Sequence, residues 1–219
     1  MCYHYPMAII ILLRHGENEW VKEHKLAGWI PGVHLNENGR KQAEDAADRL
    51  AHLPISTLYS SPVERCMETA EYVAKKLDLS IVQLPEVGEV RYGDWEGEKI
   101  AELAKLPEWH VVQHVPSRHE FPAGETMRGV QNRIVDALEA LAQKHGDEMI
   151  VVCAHADLIK MAMAHYLGTH LDLFQRIVIS PCSASVLMLG DKGVIRVLRV
   201  NDHGPIPKPP EKKEKGDQS

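Results

Sequence analysis

An unbroken apolar run, Ala8-Ile9-Ile10-Ile11-Leu12-Leu13, ends abruptly in Arg14-His15-Gly16-Glu17. It reads as a strand buried on both faces whose last step leaves the core. Met149-Ile150-Val151-Val152-Cys153 repeats the pattern and delivers Ala154-His155. Between these runs the apolar positions fall at helical spacing. Asn36 caps a helix with Ala43, Ala46, Ala47 and Leu50 on one face. Thr57 to Ser60 predicts a short strand. Ser61-Pro62-Val63-Glu64 then has the form of a capping box with Pro at the first helical position. The helix it opens carries Val63, Met67, Ala70, Ala74 and Leu77 as its buried stripe. Ile81 to Leu84 predicts another short strand. A long helix is expected from about Glu125 to Lys144, with Val130, Ile134, Leu138 and Leu141 inward and Gly146 past its end. Asp157 to Leu167 predicts a helix closed by Gly168. Ser183 to Leu189 and Val194 to Val200 predict a hairpin around Gly190-Asp191-Lys192-Gly193.

This alternation predicts an α/β fold: a three-layer α/β/α sandwich with a mostly parallel central sheet and a small helical or loop cap. The domain is placed at residues 7–204. Its cap is placed at about residues 86–124, where Gly93, Gly97, Pro107, Pro116 and Pro122 interrupt short periodic pieces. Residues 205–219, rich in Pro, Lys and Glu, cannot build a core and are expected to be a disordered tail.

Composition narrows the function classes. The 219 residues carry a net charge of −6, which argues against general nucleic-acid binding. A local cluster of Arg can still dominate a small anion site. Cys2, Cys66, Cys153 and Cys182 show no metal-type pairing, so buried thiols in a reducing compartment are expected. No apolar run is long enough to span a bilayer, and the first residues lack the features of a secretion signal. The expectation is a cytoplasmic protein with no membrane partner. His110, His114 and His119 lack tight ligand spacing with Cys or Asp, and no metal is assigned to them.

The chemistry lies at the strand ends. In open α/β sheets ligands bind just outside the carboxyl ends of the strands. If the strands are parallel, Arg14, His15, Arg65 and His155 gather at one edge of the sheet. Two guanidiniums and two imidazoles beside a helix start form a concentrated anion trap.

This constellation resembles the histidine phosphatase (phosphoglycerate mutase-like) superfamily. The motifs match in order over about residues 8 to 200. They are Arg14-His15-Gly16-Glu17, Ser60-Ser61-Pro62 with Arg65 and Thr69-Ala70, Glu89 to Gly97, Phe121 to Glu125, and Ala154-His155. The stretches Leu26 to Val33 and Leu171 to Val178 are similar to a bacterial subgroup labelled probable phosphoglycerate mutase.

The resemblance implies that His15 is the nucleophile and that Arg14, Arg65 and His155 hold the phosphoryl oxygens. It makes Glu89 the acid that protonates the leaving oxygen and then the base for water. Such a group is expected to have a pKa raised towards neutrality. No metal or other cofactor is implied, because Arg and His supply the positive charge. The chain departs from the family pattern at Asn18 and at Trp20-Val21, where Ser or Thr and then Trp-Asn are common. Val21 cannot make the phosphate contact of that Asn, and Asn18 becomes a candidate through its amide. The segment between Trp95 and Pro122 is shorter than in cofactor-dependent mutases, which favours hydrolysis. The expected activity is metal-independent hydrolysis of a small phosphorylated metabolite through a phosphohistidine. A cofactor-dependent mutase and a phosphate-binding module without turnover are the alternatives. His24, His34, Arg91, Arg118 and His119 are candidates for specificity, and Trp29, Tyr59 and Phe174 are candidate exposed contacts for a homodimer.

Overall fold

The computed structural model describes residues 7–190 and 193–206. Six strands form one sheet: β1 (Met7–Arg14), β2 (Ile55–Ser60), β3 (Ile81–Gln83), β4 (Met149–Ala154), β5 (Ala184–Gly190) and β6 (Ile195–Asp202), in the order β3-β2-β4-β1-β5-β6. β3, β2, β4 and β1 run parallel, and β5 lies antiparallel to both β1 and β6. The helices are α1 (Glu19–Lys22), α2 (Glu37–Leu50), α3 (Glu64–Leu77), α4 (Ile100–Leu103), α5 (Pro107–His114), α6 (Met127–His145) and α7 (Ala156–Tyr166). The expected mostly parallel α/β sandwich is the fold found.

Side chains alternate across β1, as the two-residue period of a strand requires. Ile10 and Leu12 pack into one layer with Ile134 and Leu138 of α6 and Ile159 of α7. Ile11 and Leu13 pack into the other with Ala43 and Leu50 of α2 and Ala70 and Val73 of α3. Both faces of the central strand are therefore dry, which is why its sequence is apolar without alternation.

Three local expectations are corrected. α3 begins at Glu64 with Val63 as its N-cap residue, so Pro62 lies outside the helix and no capping box forms. The Ser61 hydroxyl instead meets His155 Nε2 at 2.9 Å. The buried face of α3 is Arg65, Cys66, Thr69, Ala70 and Val73, because it must present Arg65 to the sheet edge. Of the expected stripe Val63 and Ala70 are buried, Ala74 and Leu77 are partly buried against the same layer, and Met67 is half-buried. Tyr59 and Phe174, taken as exposed, are 2% and 0% exposed. Tyr59 is held in the core by a 2.8 Å contact between its hydroxyl and His145 Nε2.

Between β3 and α6 the chain forms short turns and the helices α4 and α5, with no sheet strand among the described residues. At the other end, Ile206 was assigned to the tail, yet it is buried against the α2 layer and its carbonyl bonds His52 Nε2 at 2.7 Å. The rest of that tail, residues 207–219, lies outside the described residues, as do Cys2 and the hairpin residues Asp191 and Lys192. Cys66, Cys153 and Cys182 are buried free thiols.

Candidate active site

Strand register brings the site together. Arg14 pairs with Ala154 across β1 and β4, and Ser60 pairs with Cys153 across β2 and β4. His15, Ser61 and His155 therefore leave the sheet at one level, and α3 adds Arg65 one turn after β2 ends. The loop after β1 is fixed by backbone packing against the start of α2. A Cβ on Gly39 would stand 2.0 Å from the Glu17 carbonyl oxygen, so only glycine allows this approach. Asn36 caps α2 by accepting from Gly39 N at 2.7 Å, and its amide donates to Glu17 Oε1 at 2.9 Å.

His15 is 3% exposed. Its Nδ1 lies 2.7 Å from the Gly16 carbonyl, which can only accept. Nδ1 therefore carries the proton, and the lone pair is left on Nε2, which receives Arg65 Nε at 3.3 Å. Burial, then Arg65, His155 and Arg14, hold the imidazole pKa well below its ordinary value. The ring is neutral and oriented, as nucleophilic attack demands.

Arg65 is 1% exposed and sits at the centre of the cluster. Its Nη2 donates to the Gly28 carbonyl at 3.0 Å and lies 3.5 Å from Glu89 Oε2 and 3.1 Å from His155 Nδ1. Glu89 Oε2 is also 3.3 Å from His155 Nδ1. Burial would raise the Glu89 carboxyl, but His155 and then Arg65 outweigh it and hold it at about 2. This corrects the expected rise towards neutrality: the cations facing the carboxylate decide its pKa in the empty site. For His155 the balance runs the other way. Burial opposes its charged form, yet Cys66 and Glu89 outweigh burial and raise its pKa. The Glu89 loop is clamped by Arg133 of α6, which donates to the Glu86 and Gly88 carbonyls at 2.7 and 2.9 Å and pairs with Glu125 at 2.9 Å.

Three buried donors, Arg14 Nε, Asn18 Nδ2 and Arg65 Nη1, find no partner among the described residues. A buried donor left unpaired costs about 1–3 kcal/mol, so their clustering marks a place for an acceptor. Asn18 Oδ1 is already spent as the cap of α1, accepting from Val21 N at 2.8 Å, which leaves only the amide donor free. Ligand atoms of His15, Glu89 and His155 also lie within 4.8 Å of one another, close enough to share a cation. Arg65 stands within 3.5 Å of all three, however, and its fixed positive charge makes the cluster a poor cation site and a good anion site.

A cavity of about 360 Å³ opens over these residues. Of the five candidate specificity residues, only His24 lines it. Arg91 stacks on Trp29 at 4.1 Å, His34 pairs with Glu68, Arg118 is exposed, and His119 is buried against Trp95 and Phe121. Tyr92, Asp157, Lys160 and Gln175 take their place on the wall. The Tyr92 hydroxyl donates to Asp157 Oδ2 at 3.2 Å; burial, then Glu89 and Asp157, push its pKa well above the ordinary value. Asp157 lies on the first turn of α7, two residues after His155, a position that signals a site-facing residue, and Lys160 follows one turn on. Gln175 and Arg133 carry no such signal.

One edge of the parallel sheet thus brings two histidines and two arginines together around a single cavity. The family model of the histidine phosphatase superfamily (branch 1) matches residues 10–203, and the chain belongs to that superfamily. It is 30% identical to phosphoserine phosphatase 1 of Hydrogenobacter thermophilus over 200 residues, covering 90% of this chain and 94% of the relative. It is 32% identical to the 2,3-bisphosphoglycerate-dependent phosphoglycerate mutase of Thermoplasma acidophilum, covering 74% and 77% of the two chains. Among solved structures it is similar to Bacillus stearothermophilus YhfR, with a TM-score of 0.83, 27% identity and coverage of 89% and 97%.

Proposed function

We propose that the protein is a metal-independent phosphomonoesterase that works through a phosphohistidine at His15. The observation that carries this reading is the neutral, oriented imidazole of His15 set among three buried donors without partners. Arg14, Arg65, His155 and the Asn18 amide bind the phosphoryl oxygens, and the positive charge offsets what builds up on them in the transition state. His15 Nε2 attacks phosphorus in line; the N–P bond forms as the ester P–O bond breaks, and the electron pair goes to the alcohol oxygen. Glu89 delivers a proton to that oxygen. His155, whose pKa is raised against burial by Cys66 and then Glu89, stands 3.3 Å from Glu89 Oε2. An arriving phosphate dianion offsets the positive charge of His155 and Arg65 that holds the Glu89 carboxyl low, so Glu89 can carry that proton. Glu89 then takes a proton from water as the water oxygen attacks phosphorus. The P–N bond breaks, its electron pair returns to Nε2, and inorganic phosphate leaves.

The relatives' names point to a small phosphorylated metabolite as substrate. Hydrolysis is favoured over mutase chemistry by the short segment between Trp95 and Pro122, because a mutase must keep water from the phosphohistidine and a phosphatase must admit it. No helix among the described residues is long and apolar enough to cross a membrane. The test is turnover of p-nitrophenyl phosphate with EDTA beside a His15→Ala variant. Activity that survives the chelator and disappears in the variant is expected. Unchanged activity in His15→Ala removes the nucleophile, and loss with EDTA removes the metal-free mechanism.

A further inference from the structure

The catalytic cavity does not end at its rear wall. A second cavity of about 280 Å³ lies behind it, and the two share Leu26, Tyr92, Ile100, Asp157, Lys160 and Gln175 as lining. Six of the residues that enclose the smaller space also enclose the larger, so the two adjoin across a polar neck of Tyr92, Asp157, Lys160 and Gln175. Beyond the neck the lining is mostly apolar: Trp109 and Val112 from α5, Phe121, and Met127 at the start of α6, with Gln113 as the one polar side chain. An apolar protein cavity of about 150 Å³ already admits benzene, so this annex has room for a ring.

Charge along the path decides what kind of group enters. Arg14 and Arg65 belong to the phosphate. The other two fixed cations on the walls, Lys25 and Lys160, are already paired. Lys25 meets Glu23 at 2.6 Å. Lys160 meets Asp157 at 3.1 Å and Gln175 Oε1 at 3.0 Å, and the second oxygen of Asp157 takes the Tyr92 hydroxyl at 3.2 Å. His24 is exposed and lines only the catalytic cavity. Lys25 does not line the second cavity, so a carboxylate entering it would have to break the partly buried Lys160–Asp157 pair or lose its water without a partner.

We infer that the annex holds the alcohol half of the substrate, and that this enzyme prefers monoesters of uncharged alcohols with an aromatic or bulky apolar end over phosphorylated amino or hydroxy acids. The inference rests on the phosphatase reading and goes beyond it by naming the leaving group. It also separates this chain from relatives named for phosphoserine and phosphoglycerate.

The test compares kcat/KM for three alkyl esters: 2-phenylethyl phosphate, phosphoserine and 3-phosphoglycerate. At least a tenfold preference for the phenylethyl ester is expected. Val112→Trp fills the annex and is expected to remove that preference while leaving glycerol 1-phosphate turnover unchanged. Gln113→Trp, on the same helix and less buried, repeats the test should Val112→Trp fail to fold. Equal or faster turnover of phosphoserine or 3-phosphoglycerate by the unaltered enzyme overturns the inference, as does a uniform loss on all esters in both variants. If no ester is hydrolysed at all, it is the phosphatase reading that fails. Calorimetry then decides the annex alone: tighter binding of 2-phenylethylphosphonate than of inorganic phosphate supports it, and equal or weaker binding overturns it.

Discussion

Glu89→Gln keeps the shape of the side chain while removing its charge and its proton, and the structure sets the size of both effects. The carboxylate is 9% exposed and lies 3.3 Å from His155 Nδ1 and 3.5 Å from Arg65 Nη2. The gap between the ordinary value of 4.5 and its value of about 2 in the fold corresponds to roughly 3 kcal/mol of stabilisation of the native state. Because the folded pKa lies below the unfolded one, this stabilisation is complete above about pH 4.5 and fades as pH falls towards 2. Glu89→Gln should therefore lower the Tm most at neutral pH, and the difference from the unaltered protein should close as the buffer is acidified. The kinetic effect should depend on the leaving group. Proton transfer by a positioned acid contributes roughly 10²–10⁴-fold, and an alkoxide needs it where p-nitrophenolate does not. We expect kcat/KM for glycerol 1-phosphate to fall by about 10³ and that for p-nitrophenyl phosphate by far less. Steady-state assays on the two esters, run beside thermal melts from pH 3 to 8, read both effects. An equal loss on the two esters would refute the acid role, and a Tm difference that widens on acidification would refute the electrostatic account.

Three further outcomes follow from the same geometry. Burial and the charges of Arg65, His155 and Arg14 keep His15 neutral below its ordinary 6.5, so the acid limb of kcat/KM should lie below pH 6.5; a limb at or above that value contradicts the assignment. Arg65→Lys keeps a charge but loses the fork that reaches Gly28, His15, Glu89 and His155 together, and should cost about 10²-fold in kcat/KM with EDTA present or absent. Gly39→Ala drives a Cβ to 2.0 Å from the Glu17 carbonyl oxygen and should lower both Tm and activity, although Gly39 touches no substrate; a variant with native Tm would show that the α2 start is free to move.

The parts of the fold legible in the sequence were those where one physical demand acts alone. β1 and β4 are buried on both faces, so their apolar runs admit one reading, and α6 obeys a plain helical period from Val130 to Leu141. α3 is legible as a helix but its buried face is not, because two demands compete on it. Core packing asks for Cys66, Ala70 and Val73, while the site asks that Arg65 and Thr69 also be buried. Ser61 looked like a cap for the same reason: a hydroxyl before a helix has a local use, and here His155 claims it. Strand-end residues His15, Arg14 and His155 were visible because position in an α/β sheet implies place. Gln175 and Arg133 were not, since each reaches the site from an element whose approach depends on the tertiary fold. The Glu89 pKa is not legible for a related reason. Burial is readable from a motif, whereas two cations within 3.5 Å are a matter of assembled geometry.

The central claim is the covalent intermediate on His15. Rapid mixing with ³²P-labelled p-nitrophenyl phosphate, whose leaving group needs no acid, quenching in alkali and mapping of the labelled peptide by mass spectrometry tests it most directly, because phosphohistidine survives base. The account predicts a single phosphorylated peptide carrying the label on His15, formed and discharged at rates matching turnover, and more abundant in Glu89→Gln, where the base for water is gone. Turnover with no label on His15, or label on another residue at catalytic rates, would contradict it.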